Sequence, residues 1–78
     1  MEVIIYSTPN CHHCKDAKAF FNANNIVYTE IDVAADAEKR SEMIELSGQM
    51  GVPVILIGST DVVVGYDENT LKQLLEIS

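Results

Sequence analysis

Cys11 and Cys14 stand three positions apart and are the only cysteines in the 78-residue chain. Two thiols at this spacing suit two kinds of chemistry: cycling between a dithiol and a disulfide, or supplying half of a tetrahedral zinc site. Zinc takes four ligands, usually with a second pair well separated along the chain, and this sequence has no second pair. His12 and His13 are the other strong ligands, but they lie between the cysteines, where four consecutive side chains do not easily converge on one centre. The sequence therefore argues for redox chemistry without a metal. A secreted domain of this size would usually spread several cysteine pairs along the chain as staples, so this pair is chemical rather than architectural.

Such chemistry needs one sulfur exposed and ready as a thiolate, because only the thiolate attacks a disulfide. The segment before the cysteines, Val3 to Tyr6, is a continuous apolar run with β-branched residues, as expected of a central strand covered on both faces. Ser7-Thr8-Pro9-Asn10 punctuates it, and from about Cys11 to Asn24 the residues Ala17, Phe20 and Phe21 recur at helical spacing. Cys11 is thus expected at a strand-to-helix turn, where unpaired backbone N–H groups and the helix dipole favour an anion. Cys11 would open a mixed disulfide with the substrate, and Cys14, about one turn on, would resolve it. His12 and His13, when protonated, would stabilise the thiolate and make the pair more oxidising, or are simply tolerated in an exposed turn.

The rest of the chain supplies the frame. Ile26 to Val33 reads as a second strand, with Val27, Thr29, Ile31 and Val33 on one face and Glu30 and Asp32 on a more polar one, suggesting a sheet edge. Two strands joined by a helix of this length make a right-handed parallel unit. A second helix begins near Asp36, turns Met43, Ile44 and Leu46 inward and stops at Ser47-Gly48. Pro53 opens a third strand, Val54 to Ile57, which Gly58-Ser59 turns back into Val62-Val63-Val64 as an antiparallel hairpin. Asp67 can cap a last helix that carries Leu71, Leu74 and Leu75 on one face and runs to the C-terminus. The order is β-α-β-α-β-β-α in one domain spanning 1–78.

Five basic against twelve acidic residues leave a formal charge of −7. That charge repels nucleic-acid phosphates and anionic headgroups, so neither nucleic acid nor a membrane surface is an expected partner. The chain opens on its first strand with no basic, apolar leader pattern, which makes the cytoplasm the expected location and a monomer the default state.

The first strand, Cys11-His12-His13-Cys14, Gly51-Val52-Pro53 and Val64-Gly65-Tyr66-Asp67, in this order, resemble the glutaredoxins and the glutaredoxin-like reductants of ribonucleotide reductase over essentially the whole chain. The resemblance implies a thioredoxin-like α/β fold, a four-stranded mixed sheet flanked by three helices, and a thiol–disulfide oxidoreductase of protein disulfides or glutathione mixed disulfides. It implies a cis Val52-Pro53 bond facing Cys11, with the Val52 backbone pairing with an extended substrate. It also implies that Gly65, Tyr66 and Asp67 hold the γ-glutamyl end of glutathione, a co-substrate rather than a tightly bound cofactor. Asp67 can serve as ligand and helix cap together, and Tyr66 can simply pack.

Two positions depart from the family pattern. Cys-His-His-Cys stands where glutaredoxins often show Cys-Pro-Tyr-Cys, and Thr8 stands where many carry a lysine that pairs with a glutathione carboxylate. Lys15, beside the turn, either supplies part of that charge or is solvated. The departure at Thr8 leaves open whether glutathione or a thioredoxin reductase reduces the pair. A reading of another class is an iron–sulfur carrier in which two subunits bridge a cluster through the first cysteine and glutathione; the intact Cys14 favours disulfide chemistry instead.

Overall fold

A computed structural model describes residues 2–58 and 60–76. The β-branched run near the start forms β1 (Val3–Ser7), and the apolar stripe after the cysteines forms α1 (His12–Ala23). They are followed by β2 (Thr29–Asp32), α2 (Ala37–Ser47), β3 (Val54–Ile57), β4 (Asp61–Val64) and α3 (Glu68–Leu74). The expected order holds, and the strands form one sheet in the order β2-β1-β3-β4.

β1 pairs parallel with β2, Ile5 opposite Glu30, and antiparallel with β3, Ile5 opposite Ile55. A parallel partner needs a crossover, which α1 provides, whereas β3 and β4 are antiparallel neighbours joined directly, with Val54 opposite Val64. β1 and β3 lie inside the sheet and read as near-continuous apolar runs. β2 and β4 are the edges.

Side chains alternate across the sheet, so two cores form. On one face Val3, Ile5, Ile55, Ile57 and Val63 pack with Ala17, Phe20 and Phe21 of α1 and Leu71 of α3. On the other, Tyr6 and Val54 pack with Val33 and with Met43 of α2. α2 begins and ends where the sequence predicts: Asp36 caps its start, accepting from the Lys39 N–H at 3.1 Å, and Gly48, at φ +74°, takes the left-handed turn that ends it.

Three details differ from the sequence expectations. The second strand spans only Thr29–Asp32, and Val27, expected to share the face of Ile31, is 87% exposed. Ile26 and Tyr28 instead turn inward against the α1-side core, so the segment before β2 is an irregular connector that does not keep strand alternation. Leu46, expected inward, is 39% exposed, because the face of α2 that meets the sheet is centred on Met43 with Ile44 beside it. The last helix ends at Leu74, capped by Leu75. Ser59 of the expected hairpin turn, and the chain end beyond 76, lie outside the described residues. Among those residues no helix is long and apolar enough to cross a membrane.

Candidate active site

β1 delivers the chain to the turn at Thr8–Asn10, and Cys11 is the residue that caps α1. Its backbone is extended (φ −92°, ψ 113°), and its N–H donates to the Thr8 carbonyl at 3.3 Å. Its Sγ takes the place of the oxygen a serine or aspartate would use as a cap, accepting the Cys14 backbone N–H at 3.1 Å. A sulfur held there faces the positive end of the helix and a donor that has no intrahelical partner.

The two sulfurs are bonded to each other, with Cα atoms 5.2 Å apart, inside the span a disulfide closes. Their burial differs in the way the chemistry requires. Cys11 is half-buried, so a substrate can reach it, while Cys14 is 1% exposed and can be approached only through Cys11.

His12, His13 and Lys15 are exposed on the first turn of α1. His13 places Nδ1 4.0 Å from the Asp16 carboxylate, so part of any charge it carries is spent on a neighbouring acid rather than on Cys11. Solvent screens all three.

The Val52-Pro53 bond is cis, with Pro53 buried and Val52 half-buried. The Pro53 carbonyl accepts the Gly65 N–H at 2.8 Å, which joins two of the segments singled out in the sequence. Gly65 has φ +81°, a conformation that favours glycine. Tyr66 packs its ring against Phe20 of α1, centroids 6.2 Å apart, and partial burial raises its hydroxyl pKa. Asp67 caps α3: one carboxylate oxygen accepts the Thr70 N–H at 3.2 Å and the other the Thr70 hydroxyl at 2.8 Å. These bonds, the hydroxyl's foremost, hold the Asp67 carboxyl below its ordinary pKa. It remains exposed and ionised.

A groove of about 270 Å³ runs beside the cysteine turn, lined by Thr8, Val52, Val33, Met43, Met50 and Arg40. Arg40 was not singled out in the sequence, where a lone arginine in a helix reads as solvated. It lies three residues before the buried Met43 and so on the same helical face, the one signal that could have found it. Among the described residues its side chain forms no hydrogen bond or ion pair, and the groove thereby holds an uncommitted cation.

A second hollow, of about 220 Å³, is lined by Ser7, Thr8, Pro9, Glu30 and Asp32. There one oxygen of Glu30 accepts from the Ser7 hydroxyl at 2.9 Å and from the Lys18 ammonium at 2.7 Å. This bonding, led by Lys18, holds the Glu30 carboxyl below its ordinary pKa. The hollow's Glu30 is therefore already paired with a cation, whereas, among the described residues, Arg40 of the groove is not committed.

An iron–sulfur cluster would need the Cys11 sulfur as a free thiolate ligand. Cys14 competes for that sulfur within the same chain.

The chain is similar to known proteins in sequence and fold. The glutaredoxin family model matches residues 3–62. An uncharacterised glutaredoxin-like 8.6 kDa protein of a Clostridium pasteurianum rubredoxin operon is 42% identical over 72 residues, covering 92% of this chain and 95% of that protein. Glutaredoxin 3 of Escherichia coli K12 is 38% identical over 55 residues, covering 70% of this chain and 66% of its own. Among solved structures, a mutant of the thioredoxin-like protein BC3987 superposes with a TM-score of 0.91 at 32% identity, over 99% of this chain and 97% of that one. The chain belongs to the glutaredoxin family of thiol–disulfide oxidoreductases.

Proposed function

We propose that this protein reduces glutathione mixed disulfides and protein disulfides through the Cys11/Cys14 dithiol, with glutathione as its reductant. The observation that carries the reading is the division of labour at the head of α1: a half-buried Cys11 sulfur on a helix N-terminal N–H, with Cys14 buried behind it.

The steps follow from that arrangement. In the reduced protein the Cys11 thiolate attacks one sulfur of the substrate disulfide. Its Sγ bonds to that sulfur, and the other leaves as a thiolate that takes a proton from water. The Cys14 thiol gives up its proton and attacks the Cys11 Sγ, closing the Cys11–Cys14 disulfide and expelling the second substrate thiolate. The substrate has gained two electrons and two protons. Two molecules of glutathione return the pair to the dithiol and leave as glutathione disulfide.

For glutathione, the Val52 backbone would pair with the cysteinyl residue and Asp67 with the γ-glutamyl amine. The Gly65 N–H already serves the Pro53 carbonyl, so that end of the ligand would draw on the N–H groups that follow it. Arg40 supports the assignment despite Thr8: its uncommitted guanidinium, lining the same groove as Thr8, offers a carboxylate the charge that the absent lysine would have given.

Thr8 itself favours a second reading, in which a thioredoxin reductase replaces glutathione. The two separate when the oxidised protein is offered reduced glutathione in one sample and thioredoxin reductase with NADPH in another, and loss of the disulfide is followed by mass. Rapid reduction by glutathione supports the first reading. A response to the reductase alone replaces it with the second.

A further inference from the structure

The segment between α2 and β3 carries a device that neither the cysteines nor the groove explains. Gln49 folds its side-chain amide back onto the backbone of Gly51. Its Oε1 accepts the Gly51 N–H at 2.6 Å, and its Nε2 donates to the Gly51 carbonyl at 3.0 Å. One residue exchanging both its N–H and its C=O with a single partner is the pairing of neighbouring strands in an antiparallel ladder. Here one side-chain amide plays the part of the neighbouring strand.

The amide is itself anchored. The Ser47 hydroxyl, in the last turn of α2, donates to the Met43 carbonyl at 2.8 Å and lies 3.4 Å from both the Gln49 N–H and its Nε2. The clasp therefore refers Gly51 to the end of α2, whose Met43 sits in the core. A Cβ at the clasped position would lie 2.7 Å from the Gln49 Oε1, so a larger residue there would push the amide out of the clasp. On the far side, the Gly65 N–H holds the Pro53 carbonyl at 2.8 Å. Val52 is thus suspended between two fixed neighbours.

The N–H and C=O of Gly51 are committed to Gln49, the Pro53 carbonyl is committed to Gly65, and Pro53 has no N–H to add, so the backbone groups of this stretch left to pair with a ligand are those of Val52. We infer that Gln49 is a positioning residue: it presets the Val52 backbone as a template strand for the peptide backbone around a substrate's cysteine. This role rests on the proposed disulfide reduction and extends it to a substrate class, disulfides carried on extended peptide. Preorganisation lowers the ordering cost of binding, so the clasp acts on association with a peptide and not on the sulfur chemistry.

The test compares two disulfides with the reduced protein in single-turnover stopped flow without glutathione. One is a symmetrical disulfide of a short cysteine-containing peptide, and the other is bis(2-hydroxyethyl) disulfide, which has no peptide backbone to pair. Gln49→Ala removes both bonds; Gln49→Glu keeps the size and the accepting oxygen but loses the donor. Both variants should lower the second-order rate for the peptide disulfide about tenfold, the loss of one or two net hydrogen bonds, and leave the rate for the small disulfide within a factor of two. Melting curves of each variant establish that it is folded. An equal loss with both disulfides, or none with the peptide, would overturn the template role while disulfide reduction stands. Wild-type protein inert toward both would overturn the proposed reduction and this role with it.

Discussion

The sulfur of Cys11 accepts the backbone N–H of Cys14 at 3.1 Å, so the nucleophile is also the cap of the helix that carries its resolving partner. A hydrogen bond of this kind strengthens when its acceptor is ionised, and the helix end adds to it. In the reduced protein the thiolate of Cys11 is accordingly favoured. Iodoacetamide labelling of the Cys14→Ser variant across pH should give a midpoint below the value of about 8.5 for a free cysteine. A midpoint at or above it would remove the helix terminus from the mechanism.

Arg40 is the cation of the groove in which Thr8 and Val52 lie. Arg40→Gln should weaken glutathione binding about two- to fivefold, as expected of one partly exposed ion pair, with turnover at saturation unchanged. Added salt should shrink the difference between wild type and variant. A variant with an unchanged KM for glutathione would exclude Arg40 from the site.

Tyr6 ties the central strand to α2, its hydroxyl donating to Glu42 at 3.0 Å. Burial first, and then the Glu42 bond and charge, push the Tyr6 hydroxyl up to about 12. The unfolded value is about 10, so the folded value is the higher of the two. Stability from this group is then complete below about pH 10 and is lost as pH rises toward about 12. Tyr6→Phe should lower the melting temperature at neutral pH and flatten this alkaline decline. Parallel slopes for the two proteins would show that the phenol does not carry it.

Glu30 acts in the opposite direction. Its folded pKa is depressed, chiefly by Lys18 and then by Ser7, so its contribution is present above the unfolded value of about 4.3 and is lost as pH falls below it. The Lys18–Glu30 pair is partly exposed and joins α1 to β2, so Glu30→Gln should cost under about 1 kcal/mol at neutral pH. The difference between the two proteins should close in acid. Thermal melts at both ends of that range measure it.

The parts of this molecule that were legible in the sequence are those fixed by local chemistry. Alternation and helical spacing revealed every strand and helix, the capping Asp67 marked the start of the last one, and the spacing of Cys11 and Cys14 at a strand-to-helix turn identified the reacting atoms. The edge position of β2 followed from its charged Glu30 and Asp32. What stayed hidden depends on contacts between distant elements. Val27 continues a β-branched pattern, yet Ile26 and Tyr28 win the inward positions because their larger side chains fill the space beside Phe21. Arg40 looks like an ordinary polar residue until α2 is docked, when it enters the groove wall. Gln49 was hidden for another reason: its closure on Gly51, two residues on, is a local side-chain pairing that no residue pattern announces. The tie between Pro53 and Gly65 joins segments twelve residues apart through one backbone bond that no motif announces.

The most direct test of the central claim uses the Cys14→Ser variant, in which resolution cannot occur. Mixed with a glutathionylated peptide and analysed by mass after acid quenching and digestion, the variant should hold one mixed disulfide, located on Cys11. The double variant Cys11→Ser, Cys14→Ser should hold none, and Cys11→Ser alone should reduce no disulfide. A Cys11→Ser protein that keeps full reducing activity, or a Cys14→Ser protein that accumulates no adduct, would contradict the assignment of Cys11 as nucleophile and Cys14 as the residue that releases it.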